Sequence, residues 1–425
     1  MDFFSDPIAF LANLLRTWLA FIPEPWLSLL LTTIGVVVVG SAALVLPLFT
    51  IWLERRVIAR MQDRIGPNRV GYQGLLQTIA DAIKLMTKED ITPIGADKVV
   101  YNVAPILVVI SVITMWAVLP FAVNIYGADL NIGVLYIVAV GSLGTLAIML
   151  GGWASNNKYA LLGAFRTVAQ LVCYEVPMIL SMVVPVLIAS SWALAQGQTD
   201  FNPMSLKDIV IAQQFVPFLL VAPVAALIFF ISSVAETGRA PFDLLEAESE
   251  IVAGFNIEYS GMKFGMFMVA EFLHAFTVGA LVTTLFLGGW QGPWAAQYPL
   301  LGVVYFLAKS FAAYFLIVLM RAALPRIRID HLFEINWKFL VPLALAAIVV
   351  TMVINKLVDP AVVGLGWNAL ALFVSNLAVA WVAFTWAGAQ ARRLRRQEEA
   401  RLQAPPDLLG GHGEAHGPAQ PAGAH

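Results

Sequence analysis

The sequence predicts an all-α, polytopic membrane protein with about nine transmembrane helices and structured cytoplasmic loops. Three observations carry this. AVILMFWYC residues make up 60% of the 425-residue chain, and 31 glycines bring the apolar share to about two-thirds, against roughly 45–50% in soluble domains. Charged residues amount to 12%, too few to cover a soluble surface. Nine apolar runs are each long enough to cross the hydrocarbon layer as a helix, which takes about 20 residues at 1.5 Å per residue.

The runs are residues 28–50, 104–123, 132–150, 168–195, 212–234, 265–288, 299–319, 339–357 and 367–388. Helices are the expected spanning form, because lipid cannot satisfy open backbone groups and the runs are too continuous for barrel strands. The run at 168–195 is longer than one crossing needs, so part of it should protrude or tilt. The domain reading is an N-terminal interfacial segment (1–25), a polytopic domain (26–389) and a disordered Gly/Ala/Pro/His tail (390–425). Residues 7–21 are apolar but short, and the first 25 residues lack the basic-start order of a secretory signal.

Basic residues set the orientation. With 51–103 in the cytoplasm, the segments 151–167, 235–264, 320–338 and the tail fall on the same side. They hold 21 of the 25 lysines and arginines. The other side holds Arg16, Lys207 and Lys356, and Lys309 lies within a span. The bias predicts an outside N-terminus and a cytoplasmic C-terminus. Residues 73–88 read as an amphipathic helix, with Leu76, Ile79, Ile83 and Met86 on one face, at the membrane interface or under a partner.

The single cysteine, Cys173, excludes an internal disulfide, a CxxC site and a cysteine-held cluster within the chain. No phosphate loop, dinucleotide fingerprint, HExxH or CxxCH motif occurs, and no basic block suggests nucleic acid. The chain is therefore expected to bring no redox centre, ATP site, catalytic residue or metal site of its own; if it belongs to an energised machine, the energy must come from a partner or an ion gradient.

Polar chemistry concentrates in three places. ERRVIARMQDRIGPNRVG (54–71) combines Glu54 and Asp63 with five arginines, among them Arg55, Arg64 and Arg69. Its Gly-Pro turn fixes where Arg64 and Arg69 project, as part of a site or as an ordinary positive-inside loop. The loop around 235–264 carries Glu236, Asp243, Glu246, Glu248, Glu250 and Glu258 against Arg239 and Lys263. Asp243, Glu246 and Glu250 would share a helix side, and Glu236 and Arg239 are spaced to pair. Crowded, buried carboxylates can exchange protons near neutral pH. The alternative is a solvated acidic patch that docks a basic partner. RAALPRIRIDHLFEINWKFL (321–340) reads as a surface anchor or docking strap.

Two carboxylates fall in apolar runs. Glu175 precedes Pro177, which frees a backbone carbonyl, and has Gln170 and Tyr174 as polar neighbours. Glu271 has His274 one turn later. Ionisable groups at membrane depth are functional candidates, and the structural alternative for Glu271 is a pair with His274 or Lys309.

ERRVIARMQDRIGPNRVGYQGLLQTIADAIKLMTKE, AQLVCYEVP, AETGRAPFDLLEAESEIVAGFNIEYSG and RAALPRIRIDHLFEINWKFLVP occur in this order. Over residues 28–388 the chain resembles the H-subunit (ND1) family of bacterial NADH–quinone oxidoreductase, respiratory complex I. The resemblance implies a component of the inner membrane that encloses a chamber for quinone (ubiquinone or menaquinone) with the peripheral-arm B and D, or fused CD, subunits. The small A, J and K membrane subunits would be neighbours, with FMN and iron–sulfur clusters in partner subunits. Glu236, Asp243, Glu246, Glu248 and Glu250 would begin a proton path that Glu175 and Glu271 continue. Arg55, Arg64 and Arg69, with Glu54 and Asp63, would shape the chamber mouth, and Arg239 would brace the acidic loop. Two positions depart from the pattern: Gly238 where Asn is common, and Ile329 where an aromatic is common. Gly238 is expected to loosen the backbone at Arg239. The readings that compete with this one are a stand-alone ion-coupled transporter, a related hydrogenase component and a structural anchor.

Overall fold

A computed structural model describes residues 6–19, 23–197, 200–243, 245 and 252–403. The chain divides into two compact units, residues 1–377 and 378–425. Among the described residues eight helices are long and apolar enough to cross a membrane. This is the architecture of an all-α polytopic membrane protein.

The N-terminal helix α1 (Pro7–Trp18) is capped by Asp6, whose carboxylate accepts from the Ala9 amide at 3.1 Å. Its 12 residues reach about 18 Å, too short to span. Helix α2 (Glu24–Met61) does not stop at the apolar run but continues through the first arginines. Glu54 and Arg55 therefore sit on a helix rather than in a loop. After the IGPNRVG turn comes the amphipathic helix α3 (Gln77–Thr87), whose Ile79, Ile83 and Met86 are exposed, as is Leu76 just before it. The turn closes tightly: a Cβ on Gly74, which has φ +76°, would lie 2.3 Å from the Pro67 carbonyl oxygen.

Helix α4 (Lys98–Trp116) starts at Asp97, which accepts from the Val99 and Val100 amides. Helix α5 (Gly133–Ala154) follows, then α6 (Lys158–Ala195), capped by Asn157. The 38 residues of α6 give about 57 Å, well beyond the hydrocarbon thickness. Pro177 deprives the Cys173 carbonyl of its helical donor. Asn336 supplies the replacement, its Nδ2 donating to that oxygen at 2.6 Å.

The run expected to span at 212–234 is broken. It comprises the end of α7 (Leu206–Ala212), a single turn α8 (Phe218–Val221) and α9 (Pro223–Glu236). Pro217 and Pro223 each begin a new segment because neither can donate a helical hydrogen bond. Gln213 mends one break. Its Oε1 accepts from the Phe218 and Gly288 amides, and its Nε2 donates to Thr284 O at 2.8 Å.

Helix α10 (Gly261–Phe286) is the centre of the first unit. Its apolar window is 72% buried, against 6% for α2. It packs on α11 (Pro299–Ala323), α4, α2 and α9. Near the middle of α11, the Lys309 ammonium donates to the carbonyls of Leu287, Gly289 and Gln291 at 2.8–3.1 Å. Helix α12 (Ile329–Ile335) runs through a π-turn at Asn336–Leu340 into α13 (Val341–Leu357). A short α14 (Pro360–Val363) and α15 (Leu365–Gln403) complete the order.

Candidate functional site

Helices α2, α10 and α11 bring together charges that lie far apart in sequence. Glu54 is buried on α2, and Arg239, just after α9, is buried as well. Nη1 of Arg239 donates to both oxygens of Glu54, at 2.7 and 2.9 Å. Arg321, near the end of α11, donates to the same carboxylate, and the Tyr314 hydroxyl does so at 3.0 Å. Arg239 also pairs with Glu271 on α10, Nε to Oε1 at 3.1 Å, while its guanidinium stacks 4.3 Å from the Phe272 ring centroid. Two carboxylates and two guanidiniums thus compensate one another in the interior. That balance makes the burial of Glu54 and Arg239 tolerable, with Glu271 and Arg321 half-buried beside them.

Beside this cluster lies a cavity of about 60 Å³, lined by Glu236, Glu271, His274, Thr237, Ser111 and Thr145 among apolar residues of α4, α5, α6 and α10. Glu236 is 7% exposed. Among the described residues its one basic neighbour within ion-pair range is His274, with Nε2 3.9 Å from Oε1. The pair expected between Glu236 and Arg239 is not what forms: Arg239 turns to Glu54 and Glu271. Neither alternative partner proposed for Glu271 pairs with it either, since Lys309 is occupied by backbone carbonyls.

The segment carrying these groups is held in place by Gln170. Its Nε2 donates to Ala235 O and Phe242 O, both at 2.8 Å, tying the stretch around Glu236 and Arg239 to α6. Tyr174 donates to Leu332 O at 3.0 Å. Both residues therefore brace backbone rather than attend Glu175, which is half-buried on α6 and joins none of the hydrogen bonds above. Gly238 takes φ +65°, and a Cβ there would meet Leu245 Cδ1 at 2.5 Å. The position needs a left-handed residue, which Gly provides without strain and Asn tolerates better than most. Glycine here fits the conformation at Arg239, whose guanidinium is held on two carboxylates.

The remaining predicted residues lie elsewhere. Arg55 donates to Asp81 of α3 at 2.7 Å, joining α2 to α3 rather than entering the cavity. Asp63 and Arg64 line a separate surface groove with Arg56 and Arg60, and Arg69 is exposed. Asp243 is half-buried beside the buried Phe242. Glu246, Glu248 and Glu250 lie outside the described residues. No group of three or more His, Cys, Asp or Glu among the described residues is placed to hold a metal ion.

Sequence reasoning missed Tyr314 and assigned Arg321 to a surface strap. Tyr314 sits in an apolar run with no charged neighbour, and nothing local marks it. Arg321 closes that run at a helix end, where an interfacial arginine is ordinary.

Fold and site together define a polytopic helical membrane protein with a charge-compensated interior cluster and an adjoining cavity that holds a further carboxylate. Residues 33–352 match the family model described as NADH dehydrogenase. The NADH-quinone oxidoreductase H subunit of Dehalococcoides mccartyi is 48% identical over 326 residues, covering 77% of this chain and 86% of that protein. The corresponding H subunits of Geobacter metallireducens (the first of its numbered forms) and Geobacillus kaustophilus are 47% and 48% identical. Each alignment covers 72% of this chain, and 91% and 89% of the relative. The chain belongs to the NADH dehydrogenase family, that of the H subunit of NADH–quinone oxidoreductase.

Proposed function

We propose that the chain is the membrane-arm H subunit of a proton-translocating NADH–quinone oxidoreductase of the bacterial inner membrane. With the B and D (or CD) subunits of the peripheral arm it encloses the chamber where quinone, ubiquinone or menaquinone, takes two electrons and two protons to become quinol. The electrons arrive through FMN and iron–sulfur clusters of those partners, and the A, J and K subunits adjoin it in the membrane. The exposed apolar residues of α3 fit a surface covered by lipid or by a partner. The one-sided basic residues support a cytoplasmic placement of that surface.

The observation that carries the reading is Glu236: enclosed, at a cavity, without an arginine or lysine within ion-pair range among the described residues. An isolated carboxylate in apolar surroundings is stable only when it can take up a proton. Glu236, Glu271 and Glu175 serve as proton-path groups, with Asp243, Glu246, Glu248 and Glu250 on the approach. Glu54, Arg239 and Arg321 hold the path in register. Arg55, Arg64, Arg69 and Asp63 shape the quinone approach and the contacts with partners.

The test uses the whole complex in proteoliposomes. Glu236→Gln should abolish most proton translocation and coupled quinone reduction, while NADH oxidation with an artificial acceptor of the peripheral arm continues at the parent rate. Full coupled turnover in Glu236→Gln would reject the path. Equal loss of both activities would assign the defect to assembly.

A further inference from the structure

The cavity beside the ion cluster has three titratable groups on its wall: Glu236, Glu271 and His274. From α4 and α5 it receives the hydroxyls of Ser111 and Thr145, and from α6 the apolar Leu171. Ser111 spends its proton on Val108 O at 2.7 Å, so its lone pairs face outward as acceptors. At about 60 Å³ the space is several times the roughly 10–15 Å³ one water requires, and it offers the two to four polar partners that keep water in a buried site.

His274 follows Glu271 by three residues on α10, so both project from one helix face. Its Nε2 stands 3.9 Å from Glu236 Oε1, beyond a direct hydrogen bond and within reach of one bridging water or a small rotation. Glu271 is already compensated by Arg239, and Glu54 by Arg239 and Arg321. Of the carboxylates here, Glu236 is the one whose charge is left to His274. Imidazole differs from a carboxylate in one respect that matters: it can accept a proton on one nitrogen while the other donates.

We propose that His274 is a proton-relay residue between Glu236 and Glu271, acting through water held in this cavity. The step conserves charge and mass. A proton leaves the Glu236 carboxyl for one ring nitrogen, giving a carboxylate and an imidazolium. The other ring nitrogen then releases its proton to a cavity water on the Glu271 side. That water passes the proton to the Glu271 carboxylate, and exchange of a proton between the two ring nitrogens through cavity water restores the starting tautomer. This rests on the proton-path reading above and adds to it a base that the carboxylates alone do not provide.

The test compares His274→Gln, His274→Asn and Glu236→Gln in the assembled complex in proteoliposomes. Both histidine variants should assemble and should lower coupled proton translocation about ten- to a hundredfold, up to the lower end of what a positioned acid–base group contributes. The ratio of coupled rates in H2O and D2O, and the pH profile of those rates, should change as well; a packing role would leave both as they are. Parental rates, isotope ratio and pH profile in both histidine variants, with Glu236→Gln impaired, overturn the relay and leave the path standing. Parental behaviour in all three variants overturns both. Failure of both histidine variants to assemble assigns His274 to packing and overturns the relay.

Discussion

Glu54 accepts hydrogen bonds at 2.7 and 2.9 Å from a single nitrogen of Arg239, a residue 185 positions later in the chain. With Arg321 and Tyr314 on the same carboxylate, one side chain fastens α2 to α11 and to the segment after α9. Buried pairs of this kind add little net stability over apolar packing but are costly to break from one side.

Glu54→Ala leaves two arginines without their shared counter-charge. Thermal unfolding of the purified complex should reveal a loss of about 3–5 kcal/mol in this chain. Tyr314→Phe removes one hydrogen bond to the carboxylate and should cost less, about 1.5–3 kcal/mol. A larger loss in Tyr314→Phe would show that the tyrosine, not the carboxylate, organises the cluster.

Gln170→Leu removes the side-chain donor shared by the Ala235 and Phe242 carbonyls, while Ala235 O keeps the Gly238 amide. The expected cost is about 1–3 kcal/mol, confined to the stretch that Gln170 ties down. Hydrogen exchange should quicken over residues 235–243 while α10 stays protected. Uniform acceleration across both would contradict a local brace.

Asp81 gives α3 a dependence on acidity. Burial pushes its carboxyl up, but the hydrogen bond and charge of Arg55 outweigh that and hold it below the ordinary 3.8. The sign follows from the lowered value: the contribution is complete above the unfolded pKa and disappears as pH falls through the folded one. The pair is partly exposed, so its size is about 0.2–1 kcal/mol. Protection of α3 amides should weaken below pH 3.8, and Asp81→Asn should erase that weakening. Equal weakening in the variant would remove Asp81 as its source.

Orientation is open to thiol labelling in a Cys173→Ala background. Lys88→Cys and Gln297→Cys both fall at exposed positions. A reagent that cannot cross the membrane, added from outside, should label Gln297→Cys and spare Lys88→Cys until the membrane is opened. The reverse pattern would invert the topology.

Most of the spans were legible because apolar length is a local property. Residues 168–195 even announced their excess, which α6 extends back to Lys158. The broken run is not legible from apolar length, because Pro217 and Pro223 interrupt the helix without interrupting the apolar character of 212–234. The ion cluster was not legible as a cluster. Glu54, Arg239 and Arg321 sit in three separate polar stretches, and only the packing of α2, α10 and α11 makes them neighbours. Pro177 is the opposite case, since its freed carbonyl was expected, though its donor, Asn336, belongs to a distant turn.

Lys309 meets three carbonyls, and three hydrogens on nitrogen require the ammonium form. Twelve residues separate it from Arg321 on the same helix, about 18 Å along the axis. The first unit therefore carries a further positive charge about half the length of α11 away from its ion cluster, tied to backbone rather than to a side chain. Unlike Arg239 and Arg321, Lys309 meets no carboxylate among the described residues, so peptide dipoles alone take the place of its hydration.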